Sequence, residues 1–393
     1  MKSTGRRTVG ILGGGQLGSM LARAISDLGG DVAIYEPDAE APACRQTHNV
    51  VNARWDDAAA LEKFFADCDV VTYETEHIDT VALRKLAELS KLQPSLDVLQ
   101  TAQHRVREKE FLKAQSLPHA AFLSANNPSE LAVTAKSIGF PCIVKTVRGG
   151  YDGKGQFLLR SAIDVDAAVA ALPKDMPCVV EEAVDLLLEA SCIVARAPQQ
   201  TEVVFPIFDN MHDAHILDMT VVPARVSDAV AKELVRIGLQ AARALDVTGL
   251  LTTEFFLAKP TPRSKLVVGD VAIYVNELAP RPHNSGHVTR ALCSASQFDL
   301  LARVLLAAPL TPPQVDRSAA YCMANLLGES WGADKTTNLD LAAWSEFPDV
   351  VEVVLYGKRE AQPRRKMGHL VVSAASADAA IARARAFRAR ISR

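Results

Sequence analysis

Lys145 is followed, four residues on, by Gly149-Gly150-Tyr151-Asp152-Gly153-Lys154-Gly155. Glycines free the backbone of that run to turn its amides inward, and the two ammonium groups add positive charge, so the segment can close over a polyphosphate. A bare hairpin tip between strands over 142–145 and 156–159 uses the same residue types. Order along the chain separates the two readings: Glu181-Glu182 closes a strand over 178–180, then Glu254 follows, then Asn276-Glu277. A lysine, a glycine lid, an acidic hinge and two late carboxylates, in that order, describe a site for ATP.

Glu254 and Glu277 both border apolar runs, Phe255-Phe256-Leu257 after the first and Ile273-Tyr274-Val275 before the second. Such runs pair as neighbouring strands and bring both carboxylates to one side of a sheet, where two hard oxygen ligands beside a polyphosphate suit magnesium. The loop Arg281-Pro282-His283-Asn284-Ser285-Gly286-His287 comes next. Its proline and glycine argue against a helix, and with no cysteine or third histidine nearby it does not read as a zinc site. Arginine, asparagine, serine and histidine together suit a bound oxyanion such as bicarbonate or phosphate.

Near the N-terminus, Gly13-Gly14-Gly15-Gln16-Leu17-Gly18 satisfies GxGxxG between a strand and a helix, and Glu36 ends the next strand. This is the dinucleotide fingerprint with its acidic partner. A turn that presents amides at a helix N-terminus also suits a sugar monophosphate, so the glycines alone do not choose. Tyr73-Glu74-Thr75-Glu76-His77 follows the third strand at its carboxyl end, the edge of a parallel sheet that faces ligands, which makes the loop a candidate substrate contact.

These groups need a scaffold. The first hundred residues alternate strands over 8–12, 31–35 and 69–73 with helices over 16–28 and 58–66, which specifies a parallel sheet covered by helices. A charged helix over 101–115, ended by Pro118, leads into a compact unit around the lid and then a larger α+β unit with a hairpin of strands 252–257 and 266–275. The proline-rich stretch 309–313 marks a boundary before strands over 319–327, 350–356 and 369–372. The expected division is 1–108, 109–182, 183–308 and 309–393.

With 49% hydrophobic and 23% charged residues and a net charge of −3, the composition is that of a soluble globular chain with more than one core, and it points away from nucleic acid as a principal partner. Basic residues gather from 358 to 366, a cluster sized for a phosphate, and over 383–393, where arginines at helical spacing read as a solvated helix face. Seven scattered cysteines without a CxxC pair suit a reducing compartment. No window approaches the roughly 20 apolar residues of a membrane span and no secretory leader is recognised, so a cytoplasmic protein is expected.

Five segments carry a resemblance: GGGQLG at 13–18, YETEH at 73–77, GGYDGKGQ at 149–156, NELAPRPHNSGH at 276–287 and KMGH at 366–369. From about residue 8 to 372 the chain resembles the 5-(carboxyamino)imidazole ribonucleotide synthases, ATP-grasp ligases of purine biosynthesis that serve as the ATPase subunit of phosphoribosylaminoimidazole carboxylase. The lid beside NELAPRPHNSGH is a specific combination; GGGQLG alone is not. The resemblance implies an ATP-grasp fold, mixed α/β and α+β, with an N-terminal Rossmann-like parallel-sheet domain and a small C-terminal β-rich domain. It also implies ATP- and magnesium-dependent carboxylation of 5-aminoimidazole ribonucleotide by bicarbonate, and a homodimer.

By the same resemblance, ATP contacts fall on Arg105, Lys145, Gly150, Tyr151, Asp152, Gly153, Lys154, Gly155 and Gln156, then on Glu181, Glu182, Ala183, Val184, Glu189 and His212. Asn276 and Glu277 join them at the phosphates, and Glu254 with Glu277 holds magnesium. Gly15, Gln16, Leu17, Glu74, Glu76, His77, Asn284, Ser285 and Arg364 are implied around the substrates. Tyr151, Asp152, Arg281, Lys358 and Arg365 combine substrate contact with catalysis, Asp152 being the candidate for orienting the amine or accepting its proton. The family writes a lysine and then RPGRK before its last block. Here Gln362 stands where the first arginine belongs and Arg364 replaces the glycine. A neutral amide lacks about half the strength of a charge-assisted contact to phosphate, so either Arg364 compensates or substrate affinity is altered.

Other readings stay open on the sequence. A nicotinamide-dependent dehydrogenase would use Gly13 to Gly18 with Glu36. Another ATP-grasp carboxylase or a formate-using purine ligase would share the nucleotide site, as would a non-catalytic nucleotide-binding regulator.

Overall fold

A computed structural model describes residues 6–149, 155–332 and 339–392. Apolar runs at the N-terminus build a parallel sheet from β1 (Thr8–Leu12), β2 (Asp31–Tyr35), β3 (Val50–Val51) and β4 (Val70–Tyr73), in the order β3-β2-β1-β4. Its crossovers are α1 (Gln16–Asp27) and α2 (Ala58–Asp67), the latter capped by Asp57, whose carboxylate accepts the Ala60 N–H. The chain leaves through α3 (Thr80–Leu83), α4 (Leu96–Ala102) and α5 (Arg105–Ala114). The single helix expected over 101–115 is therefore two. His104 takes extended backbone at φ −128°, and its ring accepts the Arg107 N–H, a side-chain cap that starts α5 afresh.

The next unit is an antiparallel sheet of β5 (Phe122–Ala125), β6 (Cys142–Thr146), β7 (Gln156–Leu159) and β8 (Cys178–Glu182), ordered β5-β8-β6-β7. One face is covered by α6 (Leu131–Ile138) and α7 (Val165–Ala171). Cys142 and Val144 of β6, and Cys178 and Val180 of β8, enter the core beneath those helices. The two-residue period of a strand then turns Ile143, Lys145 and Glu181 to the opposite face. The acidic pair forms the last two residues of β8 and so ends the strand, as expected.

A second, wholly antiparallel sheet comprises β9 (Leu186–Arg196), β10 (Glu202–Val204), β11 (Phe208–Asp213), β12 (Ile216–Val222), β13 (Gly249–Ala258), β14 (Val267–Val268), β15 (Val271–Ala279), β16 (Ala320–Leu327), β17 (Val350–Leu355) and β18 (Lys366–Ala374). Its order is β14-β15-β13-β9-β11-β12-β16-β18-β17, with β10 on β9. Alternation again sorts the faces: Cys192 and Val194 pack under α8 (Asp228–Ala244), while Ile193 and Ala195 face α10 (Gln297–Leu305), which follows the short α9 (Thr289–Leu292). Phe298, Leu301 and Leu305 of α10 share one core with Leu17, Leu21 and Ile25 of α1. That core fixes the glycine turn of the first domain against the second sheet.

The strand expected over 266–275 is interrupted. Val268 pairs with Val271 across Gly269-Asp270, where Gly269 takes φ +63°, and β15 then continues to Ala279, so Asn276 and Glu277 are strand residues. The boundary at 308/309 divides the chain but not the sheet, because β12 pairs with β16. The C-terminal α11 (Ala377–Ile391) buries Ile381, Ala384 and Phe387 on that extension. Three of its four arginines are tied down rather than merely solvated: Arg383 pairs with Asp349, Arg388 with Asp218, and Arg390 with Asp340 and Glu346.

Candidate active site

A cavity of about 580 Å³ opens where the three units meet. Lys145 and Glu181 reach it from the helix-free face of the lid sheet. Glu254 and Glu277 reach it from β13 and β15, where they are cross-strand partners at an irregularity of register. Arg105, Gln156, Glu182, Val184, Glu189, His212, Asn276, Arg281 and Asn284 also line it, and the N-terminal domain adds Gly15, Gln16, Leu17, Glu74, Glu76 and His77. The apolar wall includes Ile143, Leu186, Phe256 and Tyr274.

Glu181 is the electrostatic centre of the lid side. Lys109 and Lys145 each place Nζ 3.1 Å from one of its carboxylate oxygens, and all three side chains are buried. Burial works to raise the Glu181 carboxyl, but the two ammonium groups outweigh it and hold it at about 2. Burial lowers Lys145, with Glu181 opposing. Lys109 also donates to the Asn276 carbonyl at 3.0 Å, linking the lid to β15. Beside it, burial pushes Glu108 up to about 8, with Glu277 adding to the shift, while its Oε1 accepts the Leu278 N–H at 2.6 Å.

On the opposite wall, Glu277 is exposed to the cavity, and it makes no hydrogen bond or ion pair among the described residues. The protein mass around the cavity, with Glu254 beside it, raises its carboxyl. Glu254 behaves oppositely: burial would raise it, yet His283, with Nε2 at 2.7 Å from Oε1, holds it at about 2. Two facing carboxylates that repel one another and present hard oxygens fit a magnesium ion. Glu189 lies 3.2 Å from His212 Nδ1; burial would lower that imidazole, and Glu189 raises it.

Arg281 is already partnered, its Nε donating to Glu76 of the N-terminal domain at 2.6 Å. Asn284 is 7% exposed, and neither its amide nitrogen nor its oxygen has a partner among the described residues. A buried carboxamide left open on both atoms, at a cavity wall, is poised for a ligand.

A second cavity, about 530 Å³, shares Gly15, Glu74, Thr75 and His77 with the first and carries Lys358 and Arg365 on its far side. Lys358 donates to the Lys366 carbonyl at 2.8 Å, and burial, with Arg365 nearby, pushes it down to about 8. The glycine turn between the cavities differs from expectation. Gly15 and Gly18 donate to the two oxygens of Glu74, each at 3.2 Å, and Gly14 donates to Glu36 at 2.6 Å. Glu36 is thus spent on the turn itself, not free for a nicotinamide ribose, and the amides open to a phosphate narrow to the next residues of α1.

Four further candidates lie outside the lining of both cavities. Ser285 is fully buried, its hydroxyl shared between Ser191 at 2.9 Å and His283 at 2.8 Å, so it does not reach either cavity. Arg364 lies outside both, donating to the Ala214 carbonyl at 2.6 Å from a left-handed backbone at φ +64°. It does not stand in for a phosphate contact at Gln362, whose own amide turns to Glu360 at 3.0 Å. Ala183 donates its backbone N–H to Pro141, and Gly155, at φ +66°, accepts the Thr146 N–H; both adjoin the cavity through the chain. Gly150, Tyr151, Asp152, Gly153 and Lys154 lie outside the described residues. Conversely Glu108 and Lys109 line the first cavity without any mention in the sequence reading, and so do His283, read there only as part of the oxyanion loop, and Lys366, read only as the end of the basic cluster.

The ATP-grasp domain family matches residues 110–298, the ribonucleotide synthetase preATP-grasp domain 6–103, and the phosphoribosylaminoimidazole carboxylase C-terminal domain 322–383. N5-carboxyaminoimidazole ribonucleotide synthase of Staphylococcus epidermidis is 36% identical over 369 residues, 93% of this chain and 92% of that protein. An ADP complex of an N5-carboxyaminoimidazole ribonucleotide synthetase superposes with a TM-score of 0.86 at 34% identity, covering 97% of this chain and 96% of the other. The Aspergillus clavatus synthase in complex with ADP and 5-aminoimidazole ribonucleotide gives 0.85 at 30% identity, over 98% of each chain.

Proposed function

The chain belongs to the N5-carboxyaminoimidazole ribonucleotide synthase family, and we propose that it performs that family's reaction, an ATP-dependent ligation in purine biosynthesis. Bicarbonate carboxylates the exocyclic amine of 5-aminoimidazole ribonucleotide, and ATP leaves as ADP and phosphate. The observation that carries the assignment is the pair of adjoining cavities. One joins buried lysines to facing carboxylates, as a nucleoside triphosphate with magnesium requires, and the other presents Lys358 and Arg365 to an anionic substrate.

In the proposed course, a bicarbonate oxygen attacks the γ-phosphorus, and the bond to the ADP oxygen breaks. The resulting carboxyphosphate releases carbon dioxide and phosphate. The amine then bonds to carbon dioxide and loses one proton. Lys145 neutralises phosphate charge, kept charged by Glu181; Arg281 exchanges Glu76 for bicarbonate; Asn284 offers one donor and one acceptor to the reacting groups. Glu254 and Glu277 hold magnesium, which supplies charge neutralisation on the phosphates when bound. Asp152 is assigned the amine proton from its place in the lid motif, with Tyr151 and Lys154 beside it in sequence. Lys358 and Arg365 take the ribosyl phosphate, with Gln16 and Leu17 at the start of α1.

The four segments ending at 108, 182, 308 and 393 act as N-terminal, lid, large and C-terminal units. We assign a homodimer by kinship and a cytoplasmic location by metabolic role; no helix among the described residues is long and apolar enough to cross a membrane. Measuring ADP release with ATP, magnesium and bicarbonate tests the reading. Strong stimulation by 5-aminoimidazole ribonucleotide, with an acid-labile carboxylated product, supports it; equal release without the nucleotide counts against it.

A further inference from the structure

We propose that His283 is a positioning residue for the metal pair, held by a buried polar chain so that its proton sits on Nε2, toward Glu254. The inference rests on the reading of Glu254 and Glu277 as magnesium ligands and goes beyond it by assigning what orients them. Four side chains lead to the imidazole. The Thr220 hydroxyl donates to Asn210 Oδ1 at 3.1 Å, and Asn210 Nδ2 donates to the Ser191 hydroxyl at 2.9 Å. Ser191 and Ser285 share a hydrogen bond of 2.9 Å, and Ser285 Oγ lies 2.8 Å from His283 Nδ1.

Direction follows from what each atom can do. Asn210 fills an acceptor position on Ser191, which leaves the Ser191 proton for Ser285 and the Ser285 proton for Nδ1. The Ser285 backbone N–H also points at Nδ1, at 3.4 Å. Two donors on one ring nitrogen make it the acceptor, so the imidazole carries its proton on Nε2, 2.7 Å from Glu254 Oε1. The backbone that carries the imidazole is pinned in place, because Gln297 accepts its N–H at 2.8 Å and donates to its carbonyl at 2.7 Å. Glu254 Oε2 has no hydrogen bond among the described residues and stands across the strands from Glu277. Thr220, Asn210, Ser191 and Ser285 are at most 4% exposed, and a polar chain so deep persists only when every link is satisfied. A ligand-orienting role accounts for its presence at this spot, since outer partners of metal ligands set their geometry.

The test is manganese affinity, read by electron paramagnetic resonance of free Mn²⁺ in the presence of the full-length chain and saturating ADP. His283→Ala should weaken binding roughly tenfold to hundredfold. His283→Gln, whose amide N–H reaches the Nε2 position, should recover most of that loss, while metal-free ADP binding shows that both variants are folded. Affinity of His283→Ala within twofold of the parent chain, or a glutamine variant no better than alanine, overturns the proposal. Glu254→Gln and Glu277→Gln separate the two failures. If they weaken Mn²⁺ binding and His283→Ala does not, the positioning role is wrong and the ligand pair stands; if they leave it unchanged, the ligand pair itself is wrong and the proposal falls with it.

Discussion

Replacing Glu181 by glutamine removes the one negative charge between two buried ammonium groups. The Glu181 carboxyl titrates at about 2 in the folded chain against an ordinary 4.5, a difference that corresponds to about 3 kcal/mol of folded-state stabilisation. Because the folded value is the depressed one, this contribution is fully present above about pH 4.5 and is lost as pH falls toward 2. Glutamine forfeits it at neutral pH and leaves Lys109 and Lys145 facing each other without a counter-charge, at a cost of the same order or somewhat more, about 3–5 kcal/mol. Amide hydrogen exchange followed by mass spectrometry reads this locally, in peptides covering β6 and β8. Exchange there should accelerate roughly hundredfold at pH 7, since each tenfold step is about 1.4 kcal/mol, and the peptides of β1 and β4 should not change. Acceleration below about threefold in β6 and β8 would refute the account of Glu181 as the charge that holds the lid lysines.

Lys358→Met should raise KM for 5-aminoimidazole ribonucleotide roughly tenfold to hundredfold, the loss of one charged hydrogen bond of about 1.5–3 kcal/mol, and leave KM for ATP unchanged; a change in the ATP value instead would reassign the second cavity. With Lys358 at about 8, affinity for that nucleotide in the parent chain should fall as pH rises through 8 and the ammonium loses its proton, and a flat binding profile from pH 6.5 to 9 would contradict this. Glu76→Gln removes the anion that occupies Arg281, so ADP release driven by bicarbonate alone should rise several-fold; no increase in a coupled assay would mean the ion pair does not compete with bicarbonate. Gly18→Ala places a Cβ 2.8 Å from the Gly13 carbonyl oxygen, which should cost about 1–3 kcal/mol in urea unfolding and raise KM for the aminoimidazole nucleotide.

What the sequence made legible follows from periodicity. Lys145 and Glu181 fall on alternate positions of apolar strands, and Glu254 and Glu277 border runs that had to pair, so their convergence could be read without coordinates. Lys109 and Glu108 could not, because they sit in the highly charged α5, which looks solvated. The available signal was Leu112, fully buried and three and four residues onward, which marks the inward face of that helix. Two motif histidines turn out to be packing rather than chemistry: His287 and His369 stack at 4.7 Å in the interior, and burial lowers both imidazoles. Ser285 likewise reads as a ligand from its neighbours, and only the buried chain through Ser191 shows that its hydroxyl is already used. The glycine turn misleads for a similar reason, since nothing local announces that Glu74, 59 positions on from Gly15, will cap its amides.

Oxygen transfer tests the central claim most directly. Bicarbonate labelled with ¹⁸O, supplied with ATP, magnesium and 5-aminoimidazole ribonucleotide, should pass one labelled oxygen into each inorganic phosphate released, because a bicarbonate oxygen forms the new bond to the γ-phosphorus. Phosphate released without label, in step with ADP, would show that water rather than bicarbonate attacks ATP and would contradict carboxylation through carboxyphosphate.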